Sequence, residues 1–290
     1  IENFRPGVLS KYQLGYEHLS VINPRLVYCS ISGFGQEGLF SQKGAFDVTV
    51  QAISGIMSVT GDEEGSPAKC GIPIADFVTG LYASFSIVAA IRNAEQTGKG
   101  SHIDCSMLGS ILGISPLQTG EFFGTGVPPK RLGTAHPRNA PYQMFYGSDK
   151  PFVIAAGTEK LWHKVCELTD YHHLGDEYRF STQPQRAKLA HILQKTFYSK
   201  TAVEWIELFD RNGVPSAPVF NYADILSHEV VKEKGWVTEM PLPNGTKTKT
   251  VGFPVKITGH DFAITKSPPK LGEHNEEVLH EWLGYSLQNK

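Results

Sequence analysis

One carboxylate in this 290-residue chain stands where it could act on a substrate. Asp76 closes the segment Gly71-Ile72-Pro73-Ile74-Ala75-Asp76 and opens the apolar, proline-free run from Phe77 to Ile91. Glycine and proline punctuate the approach, and the run reads as a buried helix. At a helix start, exposed backbone N–H groups and the helix dipole favour an anion. Two roles fit Asp76. It caps the helix, or it is a carboxylate kept ionised in an apolar site and available as a nucleophile. The turn Asn3-Phe4-Arg5 is a second constellation: the guanidinium could hold a phosphate while the turn amides assist. A solvated surface arginine is the alternative there.

Other chemistries lack their residues. The histidines, His172-His173 included, have no metal-ligand spacing, so no metal site is expected. No GxSxG elbow surrounds Ser110 or Ser32. Cys29, Cys70, Cys105 and Cys166 form no CxxC pair, which argues against a disulfide framework and for a reducing compartment. Cys70 reads as a buried structural thiol. Gly33-Phe34-Gly35-Gln36-Glu37-Gly38 is a literal GxGxxG after a strand. A dinucleotide site would need a helix opening at Gly38 and an acidic residue about twenty positions on, and neither is present. The stretch therefore reads as a loop at a strand's carboxyl end, where open α/β sheets bind ligands.

The elements that position these residues follow from pattern. Residues 8–22 read as a short amphipathic helix, Arg25 to Ser32 as a buried strand, and 45–59 as a second helix. After the Asp76 helix, Thr97-Gly98-Lys99-Gly100 is a stop, Ser101 to Ser106 a strand and Met107 to Leu117 a helix. This alternation predicts α/β layers with a parallel sheet. Gly and Pro crowd residues 121–141, the expected linker. Beyond it, Tyr142 to Tyr146 and Phe152 to Ala156 read as a hairpin, with helical patterns over 159–168, 183–198 and 201–212. The expected layout is a large α/β domain over 1–120, the linker, a small α+β domain over 142–226, and a returning segment over 227–290. Within the last, Asn244-Gly245 signals a hairpin and an amphipathic helix ends the chain.

The net charge of −2 with no long basic run excludes a nucleic-acid or anionic-membrane partner as an expectation. The apolar stretch 77–91 is interrupted by Thr, Gly and Ser and reads as too short and too polar for a bilayer span. Ile1 to Gly7 reads as the end of a strand entering a turn, so an N-terminal portion, with any targeting peptide, is expected to precede it. The expected location is the cytoplasm, or a mitochondrial matrix.

Six stretches together resemble the class III coenzyme A transferases, the group of formyl-CoA transferase and the carnitine-CoA transferase/racemase relatives. They are Glu2 to Gly7, Ile22 to Val27, Ser32 to Gly35, Gly71 to Gly80, Thr97 to Gly100, and Pro269 to His274. They occur in the family's order and span nearly the whole chain. The resemblance implies a doubly wound, Rossmann-like large domain with a small α+β domain, in a homodimer of two interlocked chains. It implies acyl-CoA and a small carboxylic acid as substrates and no tightly bound cofactor. It also implies that Asp76 attacks the acyl-CoA thioester, passing through a mixed anhydride and an aspartyl-CoA thioester. By the same resemblance Asn3, Phe4 and Arg5 pack on the CoA nucleotide, Lys11 faces its phosphates and Met107 lies beside the pantetheine. The α-methylacyl-CoA racemases of the same fold pair their aspartate with a histidine. Here that place is Phe46, which cannot move a proton. A CoA-dependent isomerase is therefore the disfavoured alternative, and a non-catalytic CoA-binding protein with Asp76 as a cap is the third reading.

Overall fold

The computed structural model describes residues 1–174 and 183–284. The chain divides into two compact units, Ile1–Ser216 and Ala217–Lys290.

In the first unit, the expected 8–22 helix is broken. A 3-10 turn covers Ser10–Tyr12, Gln13 turns left-handed at φ 59°, and α1 spans Tyr16–Ile22. β1 (Val27–Ser32) pairs in parallel with β2 (Ser101–Ser106), Val27 opposite Ser101 and Ser32 opposite Ser106. Glu2 bridges to Ser30 on the other side of β1. α2 (Asp47–Ile53) ends earlier than the pattern implies, because Gly55 adopts φ 88° and a 3-10 turn, Ile56–Val59, follows. α3 runs Ile74–Thr97 and closes on Gly98 in the left-handed conformation. α4 (Met107–Gly113) begins under a Ser106 cap, whose Oγ accepts from the Gly109 N–H at 3.1 Å. α5 is Pro116–Thr125, so the expected linker is helical up to Thr125.

Helix α3 corrects one expectation. It is 24 residues long and, by length and apolarity alone, meets the requirement of a bilayer span. Its two faces differ. Ala75, Thr79, Ala83 and Ala94 are buried, and Ala83 packs with Cys29 and Cys105 of the parallel strands. Phe77, Leu81, Phe85 and Val88, spaced at i, i+4, i+8 and i+11, form an exposed apolar stripe.

Residues 126–141 are strapped on both sides. Arg131 donates to the Asp62 and Gly65 carbonyls, Arg186 donates to the Pro137 carbonyl, and the Met144 N–H donates to Thr134 Oγ1. His136 organises the last turn. Its ring stacks on Tyr142 at 4.9 Å, and its Nδ1 accepts from the Arg138 and Asn139 N–H groups, both at 3.1 Å. Both bonds need the neutral ring. Burial, with Arg138 and Arg186 nearby, pushes the His136 pKa below its ordinary value. The unfolded chain takes up this proton near pH ~6.5 while the folded chain resists. The stability tied to this group is thus complete above about that pH and is lost as pH falls through the folded value. In urea unfolding, the midpoint should fall between about pH 7 and 5, and His136→Gln should flatten that fall. An equal slope in the variant would show that the histidine does not carry it.

The hairpin β3 (Tyr142–Tyr146) and β4 (Pro151–Ala155) packs under α6 (Glu159–Leu168), α7 (Gln183–Phe197) and α8 (Ala202–Arg211). Its core is aromatic: Phe145, Phe152, Trp162, Phe197 and Phe209 are fully buried. The Thr201 side chain and Glu204 cap α8 reciprocally, and Asp149 accepts from the Ala202 N–H at 2.8 Å. The second unit contains helices Tyr222–Ser227 and Glu229–Lys234 and the antiparallel pair Val237–Pro241 and Lys247–Val251. Asn244-Gly245 stands in the turn of that pair, and helix Asn275–Leu283 follows.

Candidate active site

The in-register ends of β1 and β2 bring two features to one level: the loop after Ser32 and the start of α4 at Met107. The loop is anchored. The Gly35 N–H donates to Ser32 Oγ at 2.9 Å and the Gln36 N–H donates to Asp104 at 2.8 Å. No helix opens at Gly38, as the sequence implied. Gly33 leaves no room for a side chain, since a Cβ there would strike the Ala45 methyl.

Beside this edge lies a cavity of about 580 Å³. Asp76, Asn3, Phe4, Arg5 and Met107 all line it. Residues separated by up to 104 positions in sequence thus share one space. Lys11 does not line it and stands exposed on the Ser10–Tyr12 turn. Phe46 lines it and is 79 % exposed. Lys43 lines it too and adds a second cation to Arg5. Sequence reading passed over Lys43, which lies in an irregular loop with no periodic signal. Its ammonium sits 5.1 Å from the centre of the Phe40 ring.

Asp76 is not the cap of α3. The helix begins at Ile74, the cap position is Pro73, and Asp76 is the third helical residue. The capping anion comes from another helix: Asp47 Oδ1 accepts from the Ala75 N–H at 2.9 Å. The Asp76 carboxylate makes no hydrogen bond among the described residues, and neither does its own N–H. Its side chain is exposed to the cavity mouth. Partial desolvation of the carboxyl group pushes its pKa above the usual aspartate range, and the charge of Asp47 pushes the same way. A more basic carboxylate is a better nucleophile than an ordinary one. Thr79, one turn along α3, is fully buried, its hydroxyl donating to the Ala75 carbonyl at 2.6 Å.

The remaining reactive groups are quiescent. Burial pushes the Cys29 and Cys105 thiols up, so they stay protonated. Cys70 is half-buried and lies outside this cavity. No cluster of metal-ligating side chains occurs among the described residues.

At its strand ends the parallel α/β unit holds a cavity shared by two cations, Arg5 and Lys43, and the Asp76 carboxylate. Residues 1–275 match the model of CoA-transferase family III, and the chain belongs to that family. It is 36% identical over 290 residues to succinyl-CoA:glutarate CoA-transferase of Homo sapiens, covering 98% of this chain and 66% of that one. Succinate–glutarate CoA-transferase of Agrobacterium fabrum is 33% identical over 287 residues, covering 97% and 71%. A CAIB/BAIF family protein from Brucella suis has the same fold, with TM-score 0.79 and 34% identity over 97% of this chain and 74% of that one. The chain spans about two thirds of the length of the human relative.

Proposed function

We propose that this protein is an acyl-CoA:carboxylate CoA-transferase with Asp76 as its nucleophile. The observation that carries the reading is the convergence of Asp76 with Asn3, Phe4, Arg5 and Met107 on one cavity. Asp76 attacks the thioester carbonyl of the donor acyl-CoA, giving a mixed anhydride and CoA thiolate. The thiolate returns to the aspartyl carbonyl, forming an aspartyl-CoA thioester and freeing the donor acid. The acceptor carboxylate then attacks, and the same steps run backwards to give the new acyl-CoA and a restored Asp76. Arg5 and the turn amides hold nucleotide phosphate, and Met107 flanks the pantetheine arm. The unpaired N–H of Asp76, in the first turn of α3, is a donor for the developing oxyanion.

Small dicarboxylates are the proposed acids. The named relatives are a succinyl-CoA:glutarate and a succinate–glutarate CoA-transferase, and Lys43 adds a second positive charge to the cavity for a distal carboxylate. Phe46 supports transfer over isomerisation, because it occupies the cavity without a titratable group. We also propose that the protein works as a homodimer, for which the exposed stripe of α3 offers an apolar surface.

Two measurements decide. Incubation with succinyl-CoA followed by hydroxylamine should leave a hydroxamate on Asp76, read by mass spectrometry. Glutarate should then accelerate turnover over monocarboxylic acids of equal length. Failure to mark Asp76 under turnover overturns the mechanism. Deuterium exchange at the substrate α-carbon without CoA transfer would favour the isomerase.

A further inference from the structure

The turn that presents Asp76 is held from one side by two residues of α2. Asp47 and Gln51 stand four positions apart and therefore on one helix face. Asp47 Oδ1 accepts from the Ala75 N–H at 2.9 Å. Asp47 Oδ2 accepts from Gln51 Nε2 at 2.8 Å. Gln51 Oε1 accepts from the Cys70 N–H at 2.8 Å. The three bonds grip the turn at both ends, at Cys70 and at Ala75. Between the grips, Gly71, Ile72 and Pro73 are exposed.

The order of donors and acceptors leaves no freedom. A backbone N–H only donates, and an ionised carboxylate only accepts. The Gln51 amide between them must point its nitrogen at Asp47 and its oxygen at Cys70. Gln51 is completely buried, so a wrong orientation would strand two polar groups away from water.

We propose that Asp47 and Gln51 are positioning residues for the Asp76 nucleophile: the clamp fixes the Cys70–Ala75 turn, and with it the place in the cavity from which the Asp76 carboxylate attacks. The inference rests on the CoA-transfer reading. Neither residue lines the cavity, so neither is offered as a contact to substrate. Their effect passes through the backbone of a single turn. Among the described residues, the bonds of the exposed middle stay within the turn and the first turn of α3: the Ile72 carbonyl accepts from the Ile74 N–H and the Pro73 carbonyl from the Phe77 N–H.

A pair of exchanges isolates the clamp from the charge. In Asp47→Asn the new amide confronts the Gln51 nitrogen, and turning Gln51 around confronts the Cys70 N–H. In Gln51→Glu two carboxylates face each other. The double exchange, D47N with Q51E, restores the pattern. The new amide oxygen at position 47 accepts from Ala75, and its nitrogen donates to the new carboxylate at position 51. That carboxylate in turn accepts from the Cys70 N–H. All three bonds return while the negative charge moves one side chain away.

Each single variant of the full chain should lower the single-turnover rate of adduct formation at Asp76 by about 10- to 100-fold. The KM for acyl-CoA should change by less than about 3-fold, since the phosphate and pantetheine contacts are elsewhere. The double variant should recover most of the lost rate. Single variants with the wild-type rate, or a double variant as slow as the worse single, overturn the proposal. Should a single variant fail to fold, hydrogen exchange of the wild-type protein decides. The Cys70 and Ala75 amides must be protected far beyond those of Gly71 and Ile72, and equal exchange overturns the clamp. A wild-type protein that forms no adduct overturns the transferase reading instead, and leaves the exchange result standing as evidence for the clamp.

Discussion

Asp76→Ala should abolish CoA transfer, with a loss of about 10³-fold or more in kcat, and leave the fold untouched. The two halves of that result have separate causes. The carboxylate is the covalent nucleophile of the proposed pathway, and no other unpaired carboxylate lines the cavity among the described residues. Stability should hold because the side chain is exposed and makes no hydrogen bond, so its removal strands nothing. Surface changes of that kind cost within about 0.5 kcal/mol. An Asp76 that merely capped α3 would behave oppositely, retaining transfer and losing about 1 kcal/mol. Asp76→Glu keeps the carboxylate but moves it by one methylene, and a loss of about 10²-fold is expected. Steady-state kinetics with succinyl-CoA, together with thermal unfolding of the same preparations, read both halves at once.

The largest effect on stability should come from Phe197→Ala. The ring is fully buried and meets Phe145 at 4.9 Å, Phe152 at 5.4 Å and Trp205 at 5.1 Å, each in an edge-on arrangement. Its carbonyl also accepts the Trp205 indole N–H at 2.9 Å. One residue therefore joins the hairpin to α7 and α8. Truncation opens a cavity among rigid rings that cannot collapse into it, and a cost of about 3–5 kcal/mol is expected. Urea unfolding followed by tryptophan fluorescence checks the value, since Trp205 reports from the site of damage. A loss below about 1 kcal/mol would mean that the ring cluster repacks.

The sequence exposed some of this and hid the rest for definite reasons. Strand β2 and helices α6 and α8 were legible because their signals are local: a glycine stop, alternating burial, an amphipathic face between caps. Asn244-Gly245 announced its hairpin in the same way. The turn Asn3-Phe4-Arg5 and Asp76 stand out as candidates by residue type alone, and Met107 only through the family resemblance. That they share a cavity depends on which strands pair, a non-local fact. The true cap of α3 is hidden for the same reason. Asp is a preferred cap by residue type, but Pro73 holds that position and the anion comes from Asp47, 28 residues before the Ala75 it caps. Gln51 offered no signal, because a buried amide is recognisable only once both partners are placed. The apolar pattern of α2 runs on through Gly55, where the backbone turns left-handed and the helix has already ended.

The capping of α3 by a foreign carboxylate has a consequence for turnover. During the proposed reaction Asp76 becomes an anhydride and then a thioester, and in both states it carries no charge. A helix that relied on Asp76 for its cap would be loosened and re-formed once in every cycle, at a cost of about 1 kcal/mol each time. Asp47 never enters the chemistry, so the same carboxylate caps the Ala75 N–H in every intermediate. The cap thus does not have to break and re-form as the Asp76 carboxylate is consumed and restored.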